Sequence, residues 1–390
     1  MVLQFLRGKS PVAETKTSGA APVIAFHGVG RPAWSARDTV SLTRTGFSQN
    51  PVGFRCVKMI AEAAAAVPAI LADKDRRYAE HPLLKLLARP NAAQGRADLL
   101  ESFYGQLLLS GDGYFEAAGR SVDGGPAELY VLRSDRMRVI PGADGWPMAY
   151  EYSVGPKKHR FDMTGDLAPI LHVKSFHPQD DHYGLSPMQA AAAALDVHNA
   201  ANRWSKALLD NAARPSGAIV YKGLDGQSAL ATDQYNRLVD ELESNHQGAR
   251  NAGRPMLLEG GLDWKPMGFS PSDMEFQKTK ESAAREVALA FGVPPMLLGL
   301  PGDNTYANYQ EANRAFYRLT VLPLVGKVMG ALSGWLSGQY STALTLSVDM
   351  DGVPALAQER EMQWARIAAA DFLTDAEKRV MLGLPAVADE

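Results

Sequence analysis

The chain has one cysteine, Cys56, in 390 residues. Neither an intrachain disulfide framework nor a cysteine zinc site can be built from it, and a reducing compartment is the simplest fit. There is no GxxxxGK[ST], so a P-loop ATPase is excluded. HExxH, GxSxG and GxGxxG are missing too. An excess of positive charge is also lacking: 40 Lys and Arg stand against 43 Asp and Glu, which argues against a protein that coats nucleic acid through bulk charge. No run of about 18 uninterrupted apolar residues occurs, so a spanning helix is not expected. The most apolar long segment, Leu319 to Leu336, contains Pro323 and Lys327 and reads as a packed helix. The opening MVLQFLRGKSP is too short an apolar run for a signal peptide, and no internal repeat is visible.

What is present is an ordinary globular composition, long enough for two or three domains. Residues 1 to about 45 are rich in Gly, Ala, Ser, Thr and Pro and read as a loose arm. Helices follow from Pro51 to Val67, with Phe54, Val57, Ile60 and Ala61 on one face, and from Arg96 to Ser110, ended by Gly111. The period then becomes two. Tyr114–Ala118, Glu128–Leu132, Met137–Ile140, Met148–Val154 and Ile170–Val173 predict one antiparallel sheet, with Asp123-Gly124 and Asp144-Gly145 at the turns. The fold class is α+β.

At Ser186 a capping residue, Pro187 and Gln189 open a helix with no breaker before Pro215. About 25 residues make a rod of roughly 38 Å. A small module follows: strand Ala218–Lys222, polar helix Thr232–His246, and a hairpin of Pro255–Glu259 with Asp263–Met267. A second long helix starts near Ser270 to Ser272 and ends at Phe291, where Gly292 and Pro294-Pro295 stop it. Leu297–Tyr309 is longer than a bare helix connection requires. A third helix, about Tyr306–Trp335, should kink near Pro323. Strand Leu344–Val348 and helices Pro354–Ala370 and Thr374–Leu382 complete the chain, Thr374 and Glu377 forming a capping box.

Two groups of residues carry candidate chemistry. His172, His177, Asp180, Asp181 and His182 offer imidazoles and carboxylates to a metal, but no helical ligand spacing joins them and no Cys or Glu completes a set, so a polar loop between a strand and a helix is the better reading. Lys278, Lys280 and Arg285 sit on the second long helix among Glu275, Glu281 and Glu286. They form either a solvated face, with Glu281 and Arg285 as an i,i+4 pair, or movable cations beside DNA phosphate. Cys56 lies in an apolar helical run, without the electropositive setting of a nucleophile.

Several ordered blocks resemble the portal proteins of tailed bacteriophages, of the type found in long-tailed phages and phage-derived gene transfer agents. They are HYGLSPMQAA after ILHVKSF, NAARPSGAIV, RPMLLEGGLDWKPMGFSPSDMEF, REVALAFGVPPMLLG and NTYANYQEANRAFYRLTVLPLV, then the tail from VDMDGVPALAQ to VMLGLP. The resemblance runs from about Pro51 to Pro385. It implies a portal fold: an arm (1–45), a wing (46–184), stem helices (185–213 and 270–292), a clip between them (214–269), a tunnel loop (293–306), a kinked long helix with a wing strand (306–350) and a helical crown (351–390). It implies a ring, usually a dodecamer, at one capsid vertex, with double-stranded DNA passing through the hole during packaging and ejection. The implied partners are the major capsid protein, the terminase large subunit and the head–tail adaptor, in a particle assembled in a bacterial cytoplasm. No cofactor, metal, membrane or catalytic residue is implied. Leu297, Gly299, Gly302, Asp303, Asn304, Thr305 and Tyr306 would be the tunnel loop, and Lys278, Lys280 and Arg285 would line the stem. Two rivals are a head–tail connector ring and a metal-dependent hydrolase using His172, His177 and His182.

Overall fold

Residues 34–48, expected as part of a loose arm, are docked on the body. Asp38 caps a short helix α1 (Thr39–Leu42), which runs into a π-helical turn, Thr43–Ser48. Leu42 is buried. Ser35 bonds Asp196 through its backbone N–H (3.0 Å) and hydroxyl (2.5 Å), and the Thr45 carbonyl accepts from Asn199 Nδ2 at 2.9 Å. Side-chain bonds to a distant helix leave no local periodicity, which is why the segment reads as loose. The structure, a computed structural model, describes residues 34–384 except 75, 165–167, 211–216, 222–232, 234–235, 238–239, 241–261, 267–275, 302–305 and 341–342.

Helix α2 (Pro51–Ala66) starts where the Asn50 side chain accepts from the N–H groups of Val52 and Gly53. Val57, Ile60, Ala61 and Ala64 are buried, but Phe54 is 44% exposed and leans on Phe47. Three short elements escape periodicity: β1 (Ala69–Ala72), β2 (Arg77–Tyr78) and α3 (Pro82–Ala88). Helix α4 (Arg96–Ser110) buries Leu99, Phe103 and Leu107 in the same core as α2 and is closed by Gly111 at φ 85°.

The expected single sheet is two. β3 (Asp112–Ala118), β4 (Glu128–Leu132) and β8 (Ile170–Lys174) form one, in the order β4-β3-β8. β5 (Met137–Pro141), β6 (Pro147–Val154) and β7 (Lys157–Asp162) form the other. A 3-10 turn, Ser134–Arg136, divides β4 from β5 and turns the chain out of the first sheet. Phe103 stacks on Phe115 under the first sheet, with ring centroids 3.9 Å apart. Tyr114 and Ile170 from the first sheet share a second small core with Val139, Tyr150 and Phe161. Gly124 and Gly145 take positive φ at the expected turns. β7 was hidden because KKHRFD has one apolar residue.

The first long helix is divided at Ala191 into α5 (Pro187–Ala190), capped by the Ser186 hydroxyl, and α6 (Ala192–Asp210). β9 (Gly217–Tyr221) pairs antiparallel with β10 (Leu262–Pro266), Ala218 opposite Lys265. Most of the expected helix 232–246 and the strand 255–259 lie outside the described residues. Helix α7 (Phe276–Phe291) returns beside α6, and the rings of Trp204 and Phe276 stack at 3.7 Å. The expected start of this helix is also outside them. Gly292, at φ 66°, ends α7.

Helix α8 (Tyr306–Phe316) passes through a π turn, Tyr317–Val321, into α9 (Leu322–Leu336). The irregularity lies just before Pro323, near where the kink is expected: proline has no N–H to give, so a carbonyl one turn earlier loses its donor, and the wide turn accommodates this. This helical stretch, Ala307–Gln339, is long and apolar enough to span a membrane by length and composition alone, although no uninterrupted apolar run marks it. Counting uninterrupted apolar residues missed it, because single polar positions dilute the run without changing its mean. Val325, Val328, Met329, Leu332 and Leu336 sit in the protein's own core. β11 (Thr345–Val348) joins β1 in a third sheet, β11-β1-β2, Val348 opposite Ala69. Helices α10 (Ala357–Ala368) and α11 (Asp375–Met381) end the described chain, the latter with the expected capping box.

Candidate functional site

The paired helices α6 and α7 position the candidate cations. Lys278 and Arg285, seven residues apart, share a face, whereas Lys280 lies about 200° round the helix from Lys278. Lys278 and Arg285 are exposed and Lys280 is half-buried. Lys280 acts on His198 of α6, which burial and this charge hold below the ordinary histidine range. The Arg285 guanidinium donates to the Pro301 carbonyl, while Glu281 accepts from Gln277. The three cations are thus divided between an outer face, a loop brace and the seam between the helices.

The loop after α7 is firmly built where it is described. Pro295–Leu298 form a 3-10 turn closed by Gly299 at φ 71°, and Leu297 packs against the main core. Gly302, Asp303, Asn304 and Thr305 are outside the described residues, and Tyr306 opens α8. Leu297 therefore serves as an anchor, not as a tip.

The histidines do not converge. His172 is buried, its Nε2 2.8 Å from Asp112 Oδ1 and its Nδ1 3.3 Å from Tyr150 Oη. The same Asp112 oxygen accepts from Gly184 N–H at 2.9 Å. His177 Nδ1 accepts from Gln179 N–H, and Asp180 accepts from the N–H groups of His182 and Tyr183. Among the described residues no group of three His, Cys, Asp or Glu could hold a metal. These residues build the turn that carries β8 into α5. There Gly111 and Gly184 approach so closely that a Cβ on either would strike the other's carbonyl.

Two features had no signal in the residues as read. Asn50 Nδ2 lies 2.9 Å from Asn199 Oδ1 and 3.1 Å from His198 Nδ1, which Asn202 Nδ2 also approaches at 3.3 Å. Two amide donors make that nitrogen an acceptor, so the proton of neutral His198 sits on Nε2. The second is a groove of about 400 Å³ where α7 ends, lined by Arg285, Leu289, Pro294, Pro295, Ala315 and Leu319. Leu289 is 79% exposed and Leu319 77%.

A family model described as phage portal protein matches residues 51–383. An uncharacterised protein of Rickettsia bellii is 41% identical over 347 residues, 88% of this chain and 89% of that one. Two solved structures cover 92% of this chain and 96% of theirs. The neck of a native gene transfer agent particle computed with C12 symmetry is 69% identical, with a TM-score of 0.71. The neck of an empty particle computed with C6 symmetry is 70% identical, with a TM-score of 0.72.

Proposed function

The chain belongs to the phage portal protein family, and from that premise we propose that twelve copies close into a ring at one vertex of a phage-like particle, a gene transfer agent or its kin. Double-stranded DNA passes through the hole. The observation that carries this is the antiparallel helix pair α6 and α7 bracketing the β9–β10 module, with a braced loop directly after it. We assign the pair to the stem, residues 214–269 to the clip that docks the terminase large subunit and later the head–tail adaptor, and residues 46–184 to the wing facing the major capsid protein. The segment 34–45 goes with the stem, because its bonds reach Asp196 and Asn199. Residues 351–390 form the crown.

Lys278 and loop residues 302–305 are the part we assign to face DNA. The contact is weak: Arg285 is turned to Pro301, and residues 302–305 are Gly, Asp, Asn and Thr, so few mobile cations remain to grip phosphate. Near-neutral charge suits a conduit through which DNA slides. The chain hydrolyses no nucleotide; the motor is a separate protein. A connector ring and a metal hydrolase are disfavoured, the latter by the dispersal of His172, His177 and His182. Negative-stain electron microscopy of the purified full chain tests the proposal. Rings with a central hole are expected, and particles without a hole at every concentration would overturn it.

A further inference from the structure

We propose that the groove at the end of α7 is the seat for the next copy of this chain in the ring, and that its occupant is the exposed first turns of that copy's α8, led by Tyr309. The inference rests on the ring reading above and adds which surfaces meet.

Two neighbouring leucines, Leu289 and Leu319, stand 79% and 77% exposed on either side of the groove, with Pro294 and Pro295 between them. Apolar side chains this exposed around one depression are costly in water and mark a contact. The occupant must be unlike the groove, because a closed cyclic ring is made by two different patches of one surface. Helix α8 carries both. Ala315 lines the groove, with Ala312 one turn before it, and these small side chains let another backbone come close. Tyr309 lies six residues before Ala315, about 120° round the helix, and is 50% exposed. All five residues from Ala307 to Glu311 are exposed, whereas Phe316 is buried. The first turns of α8 thus extend beyond their own chain's core, with a ring about 120° round the helix from the groove-lining Ala315. A tyrosine brings a large, rigid contact area at low entropic cost, as an interface anchor requires. The C12 and C6 symmetries of the necks that resemble this chain over 92% of its length support a second copy as the occupant.

The test is a cysteine pair in the full chain, Leu289→Cys with Tyr309→Cys. Native Cys56 is buried and its thiol is pushed up to about 12, so it does not compete. Mild oxidation should give a ladder of covalent oligomers on a non-reducing gel, absent from either single variant. Leu319→Asp, which buries a charge in the proposed contact, should raise the concentration at half-assembly at least tenfold while leaving the monomer's circular dichroism unchanged. If micrographs show wild-type rings but the pair does not cross-link and Leu319→Asp assembles normally, this inference fails and the ring stands. If wild type forms no ring, the parent reading fails and takes the inference with it.

Discussion

Replacing Asp112 with alanine is the most informative single perturbation of the wing-to-stem joint. One carboxylate oxygen accepts from His172 Nε2 at 2.8 Å and from Gly184 N–H at 2.9 Å, and the side chains of Asp112 and His172 are each 7% exposed. Removing it strands two buried donors. Each costs about 1–3 kcal/mol. Relief of the desolvation penalty on the carboxylate offsets part of this, leaving a loss of about 2–4 kcal/mol against a total stability of about 5–15 kcal/mol. Urea unfolding of the full chain, followed by tryptophan fluorescence, should show that loss with an unchanged slope. Asp112→Asn keeps one acceptor and should fall between. Tyr114→Phe is the control: its hydroxyl is buried and has no hydrogen-bond partner among the described residues, so the change should be neutral or slightly stabilising. If Asp112→Ala unfolds within about 0.5 kcal/mol of wild type, the joint does not depend on this network and the reasoning is refuted.

Acid should weaken the seam between α6 and the N-terminal segment. His198 is held below its ordinary value by burial and then Lys280, so the stability it supports is full above about pH 6.5 and falls as pH drops through the folded value. His198→Gln should flatten that part of the pH–stability profile, and an unchanged profile would count against it. Gly184→Ala should cost about 1–3 kcal/mol, because its Cβ meets the Gly111 carbonyl and Ser175 N; wild-type thermal unfolding of that variant would remove the close-approach argument. Deleting residues 299–303 should leave rings intact on micrographs but reduce packaged DNA. Lost rings with full packaging in residual particles would make the loop a brace.

Helix ends were legible wherever the signal is local. Ser186 and Thr374 cap as their side chains suggest, and Gly111 and Gly292 stop helices with positive φ. Pairings between distant segments were not. Ala69–Ala72 and Thr345–Val348 are each four residues long, and only tertiary contact joins them. The split into two sheets was hidden for a related reason: alternation marks which residues face a core, not which core. For the candidate site, residue types were readable but directions were not. Nothing in a row of Lys278, Lys280 and Arg285 says that Lys280 faces His198 or that Arg285 turns to Pro301. The groove at Leu289 and Leu319 joins two helices across the loop, so neither leucine stands out alone.

The most direct test of the central claim is native mass spectrometry of the purified full chain, paired with electron micrographs of the same sample. A portal ring predicts one closed species of about twelve subunits with a visible hole. A monomer or dimer at all concentrations, or an open filament, would contradict it.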